Sequence, residues 1–155
     1  MYPNVEIGAQ RFCFFALKES TWTYDKPAPV VGKRVIYLQD ALPEALVEYN
    51  GKAAFDARPF ASDFLDQTIS MLIAGRTEAL LMIFYSMRGY ININDLVDSI
   101  HCVGCSPEQK VYLAFTPDSK SKDKVTKMVI KLDEALRALN AENYLETLLI
   151  KYNLQ

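Results

Sequence analysis

The stretch MLIAGRTEALLMIF, Met71 to Phe84, decides the fold. Its first half ends a helix. Phe64, Leu65, Ile69, Leu72 and Ile73 recur at helical spacing behind Ser62, an N-cap candidate for a helix running to Ala74, and Gly75 stops it. The second half, Glu78 to Phe84 (EALLMIF), is a continuous apolar run of strand length and suits a strand covered on both faces. Helix, glycine, buried strand is the step from which parallel α/β sheets are built.

The flanking sequence repeats that step. Upstream, RFCFFAL (Arg11 to Leu17) and KRVIYL (Lys33 to Leu38) read as strands, separated by a loop from Lys18 to Pro29. Pro43 suits a first helical turn, so Glu44 to Tyr49 is expected as a short helix closed by Asn50-Gly51. Ala53 to Ala57 is a further short strand before Pro59. Downstream, Ser86 to Asp95 reads as a short helix or turn, and Ile100–Val103 and Val111–Phe115 as strands. After a polar break at Thr116 to Lys124, helices are expected at Val125–Leu139 and Glu142–Tyr152. The expected architecture is one α/β domain over residues 1–155, with a mostly parallel sheet flanked by helices and a helical C-terminal tail.

Composition narrows the function. The chain has 155 residues, 50% hydrophobic and 23% charged, which excludes a disordered or collagen-like chain. Seventeen basic and nineteen acidic residues give a net charge of −2, too weak a field for non-specific binding to nucleic acid or anionic membranes. The longest wholly apolar run, Ala79 to Tyr85, is too short to cross a bilayer. The opening MYPNVEIG has neither a basic n-region nor an apolar h-region, so no signal peptide is expected in this chain. Three cysteines are too few for a disulfide-dense scaffold, and the odd count leaves at least one thiol unpaired within the chain.

Chemistry-bearing motifs are sparse. HCVGC places His101, Cys102 and Cys105 close together, with Cys13 as a conceivable fourth ligand. A zinc ribbon normally shows a second ligand pair, however, and a redox C-x-x-C normally opens a helix. Buried small thiols or a local disulfide are therefore favoured over a metal or redox role, and no metal or cofactor is expected. His101 is the only histidine and has no G-x-S-x-G partner; no phosphate-binding glycine motif is present. The carboxylates Glu44, Glu48, Asp63, Asp66, Asp133 and Glu134 read as solvated helix faces. Lys120, Lys122, Lys124 and Lys127, interrupted by Asp118 and Asp123, read as a solvated helix start. Binding is favoured over catalysis, and no catalytic residue is assigned.

Six segments in order resemble the bacterial extracellular solute-binding proteins of family 3, the type II periplasmic binding fold of polar amino-acid ABC transporters. They are Arg11–Lys18, Gly32–Val35, Met71–Ala79, Val111–Phe115, Leu132–Leu139 and Lys151–Tyr152. The resemblance implies a second lobe at about 18–110, crossing strands at 11–17 and 111–115, and C-terminal helices over 125–153. It also implies a periplasmic location, a small polar solute and membrane transporter subunits as partners.

In that family a turn after the first lobe 2 strand holds the ligand's carboxylate, and an acidic residue at a later strand end meets its ammonium. The matching positions here are Gln39, Asp40 and Ala41, and then, allowing a shift of one, Ile83 or Phe84. Asp40 places a carboxylate where the family binds an anion, and neither Ile83 nor Phe84 supplies one. The expected ligand is accordingly dicationic or neutral, with Asp40 as a direct partner and Phe84 or Tyr85 as an apolar wall. The alternative reading is a scaffold or interaction domain that keeps the fold without binding solute. The stripe Val125, Met128, Val129, Leu132, Leu136 and Leu139, continuing into Leu145, Leu148 and Leu149, is expected to hold a homodimer together.

Overall fold

The deciding stretch folds as its residues dictate. Helix α2 (Phe64–Ile73) ends at Gly75, whose φ of 66° lies in the left-handed region. The Arg76 N–H donates to the Met71 carbonyl at 2.9 Å and the Gly75 N–H to the Leu72 carbonyl at 3.0 Å, the paired bonds that close a helix end. Strand β5 (Ala79–Ile83) follows, and Ala79, Leu80 and Leu81 are buried. Thr77 and Glu78 fasten its start to the neighbouring strand. The Thr77 hydroxyl donates to the Arg34 carbonyl, and the Glu78 carboxylate accepts from the Arg34 N–H and Lys33 Nζ, each at 3.0 Å. Those bonds, led by the Arg34 N–H, hold the Glu78 carboxyl below its usual pKa.

The computed structural model describes residues 3–25, 30–49, 52, 54–115 and 122–155, which fall into two compact units. The unit Arg11–Pro107 contains β2 (Phe12–Leu17), β3 (Arg34–Leu38), α1 (Glu44–Val47), β4 (Ala54–Arg58), α2, β5, α3 (Phe84–Ile93) and β6 (Ile100–Cys105). Its five-stranded sheet has the order β4-β3-β5-β2-β6. β4, β3 and β5 are parallel, and β2 pairs antiparallel with both β5 and β6, so four strands point one way. Both faces are covered. Phe14, Val35, Tyr37 and Leu81 pack with Tyr24, Val30 and Leu46 on one side. Cys13, Phe15, Ile36 and Leu80 pack on the other with Phe64, Ile69 and Leu72 of α2 and Met87 and Ile91 of α3. The expected α/β sheet flanked by helices is the observed one.

The other unit, residues 1–10 and 108–155, contains β1 (Gly8–Gln10) paired antiparallel with β7 (Gln109–Val111), then α4 (Lys122–Ala141) and α5 (Tyr144–Lys151). Two readings are corrected here. β1 was unforeseen, and the expected strand Val111–Phe115 is displaced: β7 ends at Val111, where its pairing with β1 ends. Asp133 is not on a solvated face. It is 5% exposed and accepts from the Asn4 N–H (2.9 Å), the Val5 N–H (3.0 Å) and the Asn4 amide (3.0 Å). Burial pushes its pKa upward, but the N–H donors of Asn4 and Val5, with Arg137, outweigh that and leave it below the usual value.

In the first unit the ambiguous stretch after Phe84 is the ten-residue helix α3, and the strand expected at Ile100–Val103 runs on to Cys105. Asn50, Gly51, Ala53 and the residues 26–29 and 116–121, among them Asp118 and Lys120, lie outside the described residues.

Candidate functional site

In a sheet with parallel strands, ligands bind beyond the carboxyl ends of those strands, where loops leave the sheet. The register of β3 with β5 pairs Val35 with Ala79, Ile36 with Leu80 and Tyr37 with Leu81. Continuing it two residues sets Gln39 beside Ile83. The two sequence-predicted segments, Gln39–Ala41 and Ile83–Tyr85, thus follow neighbouring parallel strands at the same carboxyl edge of the sheet.

Their local structures differ. The Gln39 N–H donates to the Arg58 carbonyl at 2.7 Å, and the Ala41 N–H to the Leu38 carbonyl at 3.0 Å. Between them Asp40 adopts a left-handed φ of 63° and is exposed. No helix begins at Ala41: α1 starts at Glu44 behind Pro43 and is only four residues long. Pro43 sets where the helix begins, and the turn before it is closed by backbone bonds.

Ile83 is the last residue of β5, and Phe84 and Tyr85 open α3. Phe84 packs into the core behind the edge, its ring 6.4 Å from that of Phe15, and meets Tyr85 edge-on at 5.6 Å. Sequence reasoning missed Arg11 at this edge. Its carbonyl accepts from the Phe84 N–H at 3.0 Å, and its guanidinium lies 5.0 Å from the centre of the Phe84 ring. It forms no ion pair among the described residues. The only signal was a lone basic residue ahead of an aromatic strand.

Leu38 and Met82, the chain neighbours of Gln39 and Ile83, help line a cavity of about 160 Å³ with Phe60, Phe64, Asp66 and Tyr90. The Tyr90 hydroxyl donates to Asp66. Desolvation first, and then Asp66, push the Tyr90 phenol up to about 12. A second cavity, about 210 Å³, lies at the opposite edge against Trp22, Lys33, Leu72 and Glu78, away from the predicted residues.

The motif HCVGC forms β6, and its partner was not foreseen as such. Cys13 and Cys105 face each other across β2 and β6 and are joined by a disulfide spanning 92 positions, in place of a local one. Cys102 is the free thiol, exposed at the strand surface. Desolvation of its sulfur raises its pKa, and the charge of Arg11 opposes the rise. His101 Nδ1 is buried without a hydrogen-bond partner among the described residues.

No family model matches the chain, and no curated protein matches it. Solved structures do. An amino acid ABC transporter substrate-binding protein, AbpA from Streptococcus pneumoniae bound to L-arginine, superposes with a TM-score of 0.70 at 13% identity, over 98% of this chain and 60% of that one. A mutant of ArgBP from T. maritima gives 0.68 at 16% identity, over 100% and 62%. An ancestral arginine-binding protein bound to arginine gives 0.62 at 15%, over 97% and 62%. The chain spans about three fifths of the length of these structures. Across that span it has the fold of the amino-acid ABC transporter substrate-binding proteins.

Proposed function

We propose that this chain is a non-catalytic binding domain for a small cationic or zwitterionic solute, working in the periplasm with membrane transporter subunits. In this reading the unit Arg11–Pro107 is the second lobe and its carboxyl sheet edge is the ligand-facing wall. The observation that carries it is that Gln39–Ala41 and Ile83–Tyr85 follow the neighbouring parallel strands β3 and β5 at that edge. Asp40 faces a cationic group, the unpaired Arg11 an anionic one, and Tyr85 with the edge of Phe84 gives apolar contact. The solved neighbours bound to arginine support this class of ligand. The same reading places a second copy against the C-terminal helices, where Met128, Leu139, Leu145 and Ile150 are exposed. Among the described residues no helix is long and apolar enough to cross a membrane.

The test is calorimetry of the full chain with L-arginine. At a hundredfold excess over Kd, binding adds about 2.7 kcal/mol of stability. Asp40→Asn should remove the gain while leaving unliganded stability unchanged. If neither arginine nor any other amino acid stabilises the protein, solute binding is overturned in favour of a scaffold. A light-scattering mass of 17.6 kDa at micromolar concentration would rule out the dimer.

A further inference from the structure

Two cysteines three positions apart on an unbroken strand point to opposite faces. Cys102 and Cys105 do not, because β6 carries a bulge. Phe14 pairs with Gly104 and Phe15 with Cys102, leaving Val103 without a partner on β2 and resetting the alternation. The bulge is built into the surrounding backbone. The Tyr24 N–H donates to the Val103 carbonyl at 2.7 Å, and Gly104 has φ of 145° with no room for a side chain, since a Cβ there would sit 1.9 Å from the Tyr24 carbonyl oxygen. The consequence is that Cys13, Cys102 and Cys105 share one face. Their three sulfurs lie within 4.8 Å of one another, and Cys102 Sγ is 3.6 Å from Cys105 Sγ.

We propose that, once the Cys13–Cys105 bond is reduced, these three cysteines form a site for one thiophilic divalent cation of the zinc type. A tetrahedral thiolate site holds each sulfur about 2.3 Å from the ion, and so about 3.8 Å from its neighbours. Cys102 Sγ already stands at about that distance from Cys105 Sγ, and reduction of the disulfide frees Cys13 Sγ to move apart from Cys105 Sγ and complete the triangle. Cys13 is fully buried and Cys102 exposed, so the ion is reached from the Cys102 side, where water fills the fourth position. His101 lies outside the cluster. Three thiolates and a divalent cation carry a net charge of −1, and Arg11 lies close enough to act on Cys102 as the counter-charge.

The site is gated by two electrons. A dithiol reductant gives two electrons and two protons to the disulfide, breaking the Cys13–Cys105 S–S bond and itself becoming a disulfide. The cation then displaces three thiol protons and forms three metal–sulfur bonds. Reoxidation by a disulfide compound removes two of the three ligands and releases the ion. This site shares Arg11 with the proposed solute-binding edge, but its ligand and its test are its own.

The experiment uses the full chain, reduced anaerobically with a phosphine that is removed before metal is added. Cobalt(II) is titrated as a coloured stand-in for zinc, and the stoichiometry is read by native mass spectrometry. One ion per chain with a thiolate-to-cobalt charge-transfer band is expected, displaced by zinc and absent from the oxidised protein. Cys102→Ser, which leaves the disulfide pair intact, should weaken binding by about tenfold or more. Absence of the charge-transfer band, equal binding by oxidised protein, or undiminished binding by Cys102→Ser would overturn the proposal.

Discussion

The two units spend their apolar residues differently. In Arg11–Pro107, β2 buries Cys13, Phe14, Phe15 and Ala16 almost completely, and β5 does the same with Ala79, Leu80 and Leu81. In the other unit, α5 buries no residue and α4 only Val129 and Asp133. A strand between two covered faces has every side chain enclosed, whereas a helix can enclose only one stripe. The unit with the sheet is therefore held by packing. The helical unit depends in part on a polar tie, Asp133 to Asn4 and Val5, and keeps a face available.

The largest effect should come from the enclosed strand. Phe14→Ala removes a fully buried ring that packs on Trp22 and Tyr24, and should cost about 3–5 kcal/mol in urea denaturation. A cost near 1 kcal/mol would mean that the sheet core is not the chief source of stability.

A smaller loss should follow Asp133→Asn in the helical unit. Because the folded pKa of Asp133 is depressed, its contribution is complete above the unfolded value, about 3.9, and is lost as pH falls through the folded one. Calorimetry should show a lower Tm for the variant at pH 7, with the gap to wild type closing as the pH drops below about 4. A gap unchanged down to pH 2 would show that the carboxylate charge is irrelevant to the tie.

The smallest effect belongs to the open face of α5. Ile150 is 60% exposed, so Ile150→Gln should change monomer stability by no more than about 0.5 kcal/mol at nanomolar concentration. A loss that grows with protein concentration would instead place a second copy on that face.

These contrasts also mark what was legible in the sequence. β2 and β5 could be read from composition because both of their faces are covered, so every residue is apolar. Gly75 could be read because a helix end needs a left-handed residue. Asp133 could not, since its partners lie 129 and 128 positions away. The same holds for the Cys13–Cys105 pairing and for the bulge at Val103, which only the alignment of β6 with β2 and the Tyr24 backbone creates. At the candidate edge, Asp40 and Phe84 were named by the family resemblance. Arg11 was not, because its placement depends on the ring of Phe84 beneath it.

The position of β2 in the sheet order has a consequence for how the chain is made. β2 is synthesised before either of its neighbours, β5 and β6, yet lies between them. Phe15 meets Leu80 on one side and Cys102 on the other, so both closures span long loops. Such contacts repay their loop entropy late and slow folding. While β3, β4 and β5 are still being added, FCFFAL has no strand partner and stays sticky. Of all segments in this unit, it is the one a chaperone would have most reason to hold, and the disulfide from Cys13 can form only after that wait is over.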